Sequence, residues 1–356
     1  MGDKPFDGKR LLVTGGTGSL GKLLVRRLLT GEMGSPERII VFSRDEAKQH
    51  EMRLEYLHKV ASTDEVVFSN FQRQLVFRIG DVRDASAVNA ALVDIDIVFS
   101  AAALKQVPTC EYFPWEAVQT NVSGAENVVR AIEQHKIPVE LVVGVSTDKA
   151  CKPVNVMGMT KALQERVFIQ ANMRAPTTRF VCVRYGNVLA SRGSVIPLFH
   201  DQIRSGGPVT ITTEDMTRFL LSLDDSVDLI FAAVQKALAG ETFIPRVPSS
   251  KVVDIAAALI GDREIQIDVV GIRPGEKVHE ILVSEEESPR TVLRDGYYVI
   301  QPMLPELDAG TGEKVALSGE YSSASEIQSP ESTRALLEER QLMVGDVLHE
   351  QDEVLR

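Results

Sequence analysis

The sequence predicts an α/β protein in which a doubly wound parallel sheet carries a smaller, mixed α/β C-terminal substrate domain. Three observations lead there. Short apolar runs alternate with stretches of helical period from residue 9 to about residue 188, as they do where parallel strands are joined by crossover helices. The first run ends in a glycine-rich turn. A later run, residues 139–145, ends in Ser146, Thr147, Asp148 and Lys149, and Met157, Gly158, Met159, Thr160 and Lys161 follow after a short gap. An acid, a base and several hydroxyls thus stand at the mouth of a buried strand, where open α/β sheets bind ligands. Taken alone, the same stretch also reads as a polar turn capped by Ser146 or Thr147.

The elements follow in order. Residues 11–13 form the first strand, and Leu20, Leu23, Leu24, Leu28 and Leu29 recur at helical spacing after it. Between them Gly15, Gly18 and Gly21 stand in G-x-x-G-x-x-G spacing. Glycines there let the backbone turn tightly and approach a pyrophosphate, whose charge sits on the N-terminus of the next helix. Gly15, Thr17, Gly18, Ser19, Leu20 and Gly21 are therefore the expected dinucleotide cradle of a Rossmann-type domain. Residues 39–42 form the second strand. It ends in Ser43 and Arg44, a hydroxyl and a guanidinium that suit a 2′-phosphate and favour NADP over NAD, with Asp45 as the contrary sign. Residues 75–79 lead to Asp81 and Val82, expected beside the adenine, with Asp84 as a helix cap. Residues 95–99 lead to Ala101 and Ala102, small enough for a cofactor to lie against the backbone, and to Lys105, the first group able to reach a substrate. A helix over residues 114–134 carries Asn121, read as a buried amide bonded to backbone. Residues 179–183 are a further strand, ending in Arg184, Tyr185, Gly186 and Asn187.

Composition then shifts to shorter segments. The expected division is a cofactor domain over residues 1–190, with some chain returning after residue 220, a substrate domain over 191–303 and a C-terminal extension over 304–356. Arg218 and Arg273 are assigned to a substrate diphosphate, because a fork of donors matches phosphate oxygens. The formal net charge of −11 argues against a polyanion-binding surface, so nucleic acid is excluded as a partner. Cys110, Cys151 and Cys182 form no C-x-x-C pair, which predicts neither a disulfide framework nor a metal site. No apolar run reaches the roughly 18 residues of a membrane span, and a cytoplasmic location is expected.

Thr14 to Gly21, Ser43 to Glu46, Ser146 to Ala150, Arg184 to Val188 and Arg273 to Lys277, taken in order, resemble the UDP-N-acetylglucosamine 4,6-dehydratases of the extended short-chain dehydrogenase/reductase superfamily, which serve capsule, O-antigen and flagellin-sugar biosynthesis. The resemblance spans residues 9–298. It implies an NADP-dependent lyase acting on a UDP-sugar, usually as a dimer or higher homo-oligomer. Carbon 4 gives up hydride, water leaves across carbons 5 and 6, and hydride returns to carbon 6, with carbon 5 retained or inverted. It implies Lys149 as the base at carbon 5 and Asp148 as the acid for the leaving 6-hydroxyl. The amine must then start neutral and the carboxyl protonated; desolvation by bound sugar and cofactor shifts both groups that way, and the Lys161 charge further lowers Lys149. Asn187 and Glu276, within the last two motifs, count with Lys105, Arg218 and Arg273 as substrate contacts. One position departs: Met157 stands where the superfamily has a catalytic Tyr, four residues before Lys161, and a thioether has no proton to exchange. Thr147 is expected to relay the 4-hydroxyl proton toward Lys161 or the cofactor ribose. The rival readings are an NADP-dependent nucleotide-sugar 4-epimerase or reductase and a non-catalytic NADP-binding protein.

Overall fold

The alternating apolar runs become a nine-stranded sheet in the computed structural model, which describes residues 4–58, 65–189, 195–272 and 275–345. In chain order the strands are β1 (Arg10–Thr14), β2 (Arg38–Ser43), β3 (Leu75–Ile79), β4 (Ile97–Ser100), β5 (Leu141–Val145), β6 (Arg179–Val183), β7 (Val209–Ile211), β8 (Thr217–Phe219), β9 (Thr242–Pro245), β10 (Ser249–Lys251), β11 (Ile267–Val269), β12 (Ile281–Val283), β13 (Thr291–Arg294), β14 (Tyr297–Ile300) and β15 (Tyr321–Ser322). The large sheet has the order β13-β14-β9-β6-β5-β4-β1-β2-β3. It is parallel from β3 to β9, and β14 and β13 add an antiparallel edge.

Both faces of this sheet are covered, which is why its central strands are apolar at every position rather than at alternate ones. Successive residues still point opposite ways. Leu11, Val13, Phe99 and Val143 pack with Leu24 and Leu28 of the helix Ser19–Thr30 and with Leu229 and Ile230 of the helix Leu223–Lys236. Leu12, Val98, Val142 and Phe180 pack on the other face with Val128, Ile132 and Phe168 of the helices Gly124–His135 and Val156–Arg174.

Two expected strands begin later than their apolar runs. Ile95 precedes β4 because Asp94 takes a left-handed φ of 61° and the Ile95 amide closes a turn on Leu92. Val139 precedes β5 because its amide bonds Ile137. The helix expected over residues 114–134 is interrupted by a π-helical stretch, Val118–Ser123, that holds Asn121.

Chain after residue 190 does not form one separate body. The helix Leu223–Lys236 and strands β9, β13 and β14 join the large sheet. Small pairs β7/β11 and β8/β10, with the helices Val195–Arg204 and Val252–Ile260, build a second core around Phe199, Leu220 and Leu259. The C-terminal extension contributes to it through Leu337 of the helix Pro330–Glu339, while β15 pairs with β12. Among the described residues no helix is long and apolar enough to cross a membrane.

Candidate active site

A cleft of about 930 Å³ runs along the C-terminal ends of β1, β2, β4, β5 and β6 and under the second core. Gly15, Thr17, Gly18, Ser19, Leu20 and Gly21 line one end, with Ser43, Arg44, Asp81, Val82, Ala101 and Ala102. Thr147, Lys149, Asn187, Arg218, Glu276 and Glu280 line the other, and Lys105, Met157 and Lys161 lie along the same cleft.

The glycine turn fits a pyrophosphate for two separable reasons. Gly15 has a φ of 67°, and a Cβ there would sit 2.8 Å from the Ala102 backbone, so the fold itself requires glycine. At Gly18 a Cβ would meet only the Gly15 carbonyl, at 3.4 Å. The space above Gly18 is open, and the helix it begins has no side-chain cap, leaving first-turn N–H groups for an anion. Thr14 locks the neighbouring strand end by accepting from the Ala101 and Ala102 amides at 3.1 and 3.2 Å. At the end of β2 the Ser43 hydroxyl accepts from Thr17 at 3.3 Å and from Gln49 at 3.2 Å. Arg44 is exposed and lies 3.9 Å from Asp81. Asp45 is engaged elsewhere: it caps the next helix through the Lys48 amide and pairs with the Lys48 ammonium. Asp81 is held by Arg83, and Asp84 caps its helix through Ser86 and Ala87.

At the other end β5 delivers Thr147, Asp148 and Lys149 into a one-turn 3-10 helix, Asp148–Ala150. The helix Val156–Arg174 packs so tightly on this turn that a Cβ at Gly158 would lie 2.1 Å from the Lys149 carbonyl oxygen. Asn155 caps that helix through the Gly158 amide. Asp148 is fully buried. Its Oδ1 accepts from the Thr147 hydroxyl at 2.6 Å, the Lys149 amide at 2.9 Å and the Lys149 ammonium at 3.1 Å. The same Nζ donates to Asn187 Oδ1 at 2.7 Å and lies 3.7 Å from Glu280 Oε1.

The chain's own contacts bear on three of the expected roles. Burial raises the Asp148 carboxyl, but the Lys149 charge and the Thr147 hydroxyl outweigh it and hold the group below its ordinary value. Burial lowers Lys149, but Asp148 and Glu280 hold it above its ordinary value. Before sugar and cofactor desolvate it, the pair is therefore held as carboxylate and ammonium by the chain's own charges. Thr147 donates to Asp148 rather than toward Lys161. Arg218, expected to meet a diphosphate, is buried with its guanidinium on the carbonyls of Thr217, Lys277 and Val278 and 3.8 Å from both Glu276 and Glu280. Arg273 lies outside the described residues.

Lys161 is buried. Its ammonium bonds the Val145 carbonyl and the Gln164 side chain, and burial brings it down to about 8. Met157 packs with Cys110, Ala117 and Leu104. Asn121 bonds both backbone groups of Leu104 and the Thr160 hydroxyl, fixing the cleft wall after β4.

The profile of the polysaccharide biosynthesis protein family matches residues 11–302. The chain belongs to that family. Among its relatives a UDP-glucose 4-epimerase of Rickettsia conorii is 46% identical over 300 residues, 83% of each chain. A UDP-N-acetylglucosamine 4,6-dehydratase (inverting) of Campylobacter jejuni is 41% identical over 318 residues, 88% of this chain and 89% of that one. The X-ray structure of Pen from Bacillus thuringiensis superposes with a TM-score of 0.83 at 35% identity, covering 95% of this chain and 99% of that one.

Relatives of nearly equal similarity thus carry two reaction names, and separating them falls to the site residues of this family member. Glu280 is a site residue that the sequence reading does not single out. It lies three residues after the Arg273 to Lys277 motif, but only the fold brings it to Lys149. Glu165, Arg184 and Glu287 likewise meet only in the fold. Arg184 donates to both Glu165 oxygens at 3.0 and 2.7 Å and to both Glu287 oxygens at 2.8 and 2.9 Å, all buried behind Ser146.

Proposed function

We propose that the protein is a nucleotide-sugar 4,6-dehydratase that uses NADP and acts on UDP-N-acetylglucosamine. The observation that carries this reading is the Asp148 and Lys149 pair, 3.1 Å apart: Lys149 and Thr147 line the same cleft as the glycine turn, and Asp148 is buried directly behind them. The glycine turn, Ser43 and Arg44 would hold NADP, which when bound supplies the hydride acceptor for carbon 4 and the donor for carbon 6. A carbon 4 carbonyl acidifies the proton on carbon 5, and Lys149 is the base within reach of it. Asp148 delivers a proton to the departing 6-hydroxyl.

The resting carboxylate accounts for the missing Tyr. Thr147 donates to Asp148 at 2.6 Å, so the hydroxyl can pass its proton to the carboxylate while taking one from the 4-hydroxyl of the sugar. Asp148 is then loaded with the proton it gives to oxygen 6, and one proton travels from oxygen 4 to oxygen 6 with no phenol involved.

The 4-epimerase reading is favoured by the names of the Rickettsia relatives. A 4-epimerase oxidises and reduces carbon 4 alone, and has no work for an acid and base aimed at carbons 5 and 6. Incubation with UDP-N-acetylglucosamine and NADP separates the two. The dehydratase gives a product lighter by one water, and Asp148→Asn and Lys149→Met each slow that loss by about 100-fold or more while NADP affinity is unchanged. A product of unchanged mass favours the epimerase.

A further inference from the structure

Glu280 is a buried carboxyl that the mechanism above does not use. It is 4% exposed and lines the cleft. Its Oε1 lies 3.7 Å from the Lys149 ammonium and 3.8 Å from Arg218 Nε, both longer than a hydrogen bond. Its Oε2 is buried with no hydrogen-bond partner at all. A carboxylate withdrawn from water without hydrogen bonds is poorly stabilised, and proton uptake relieves the penalty. Burial first, and the Asp148 charge second, accordingly push Glu280 up, against Lys149, Arg218 and Lys277. Glu276 lies 3.8 Å from the same Arg218.

Proton balance creates a need that this group meets. Once Asp148 has taken the proton of the 4-hydroxyl, Lys149 is still an ammonium and cannot remove the proton on carbon 5. It has lost the charge that held its own proton most strongly, since Asp148 stands ahead of Glu280 among the groups that raise it, whereas Glu280 loses only the second cause of its rise and keeps the first, its burial. We propose that Glu280 is the proton acceptor that discharges Lys149 for the elimination, a positioning residue acting through the amine. This rests on the dehydratase reading. An N–H bond of Lys149 breaks, its electron pair stays on Nζ, and an O–H bond forms on Glu280 as the 3.7 Å gap closes. Lys149 then takes the carbon 5 proton, the C–H electrons form the C5=C6 bond, and oxygen 6 leaves as water with the Asp148 proton. After hydride reaches carbon 6, Lys149 returns its proton to carbon 5 and recovers the stored one from Glu280. Every group ends as it began.

Asp148→Asn imitates the loaded, neutral Asp148 and needs neither sugar nor cofactor. In that variant the infrared spectrum at neutral pH gains a protonated-carboxyl band, and the band is missing from Asp148→Asn with Glu280→Gln. A second measurement uses the otherwise intact enzyme with its 4-keto-6-deoxy product in heavy water. Deuterium uptake at carbon 5 slows about 100-fold in Glu280→Gln, and Glu280→Asp, which keeps an acid, recovers about a tenth or more of the wild-type rate. No Glu280-dependent band, wild-type exchange in Glu280→Gln, or equal slowing in both Glu280 variants overturns the assignment. The infrared result stands whatever the enzyme's reaction, whereas failure of the wild-type protein to release water from UDP-N-acetylglucosamine counts against the functional reading alone.

Discussion

Gly15 and Gly18 answer to different demands, and replacing each by Ala separates them. Gly15→Ala puts a Cβ into the Ala102 backbone at a left-handed φ, and the expected cost in unfolding free energy is about 1–3 kcal/mol. Gly18→Ala meets nothing closer than 3.4 Å, so its denaturation midpoint stays within about 0.5 kcal/mol of wild type while NADP affinity falls at least about tenfold, measured by calorimetry. An equal loss of stability in both variants would mean that Gly18 too is a packing residue. The turn was legible in the sequence because glycine spacing reports backbone geometry directly. The charge state of Asp148 and Lys149 was not. It depends on the Thr147 hydroxyl, on Asn187 and on Glu280, and only the folded chain puts those groups around one amine.

At the scale of elements, the helix Val156–Arg174 and strand β6 are clamped by Arg184 between Glu165 and Glu287. Burial raises Glu287, but the Arg184 guanidinium brings it down to about 2. A carboxyl whose folded value is depressed adds stability above its unfolded value near 4.3 and loses it as pH falls toward 2. Glu287→Gln leaves a buried guanidinium short of one partner and is expected to cost about 3 kcal/mol at neutral pH, a deficit that shrinks between pH 4.5 and 2 in urea titrations. On the same helix Lys161 is lowered by burial to about 8. Between that value and the ordinary lysine value the unfolded chain binds a proton that the folded chain does not, so stability rises with pH. Relative to Lys161→Met, the cofactor-free wild-type protein should gain about 1.5 kcal/mol between pH 8 and 9.5. A flat difference would mean that Lys161 is already neutral or not buried. Neither effect was readable from spacing, since only the folded chain brings Glu165 and Glu287 to Arg184 and buries Lys161.

For the molecule as a whole, the parallel core was the most legible feature. Strands covered on both faces are continuous apolar runs, and β1, β2, β5 and β6 lie where those runs lie, as does the more exposed edge strand β3. The division of the later chain was less so. Short strands such as β9, β13 and β14 carry no sign of which sheet they will join, and their addition to the large sheet is settled by long-range pairing. That arrangement sets the second core over the C-terminal strand ends and gives one cleft in which the glycine turn and Lys149 face a common space, with Asp148 buried behind Lys149. The central claim is that the pair expels water from a sugar oxidised at carbon 4. Its most direct test is proton NMR of the product formed from UDP-N-acetylglucosamine with NADP in heavy water. The account predicts a 6-deoxy-4-keto sugar with a carbon 6 methyl signal and deuterium at carbon 5. A product that keeps its 6-hydroxyl and its carbon 5 proton, changed only at carbon 4, would contradict it.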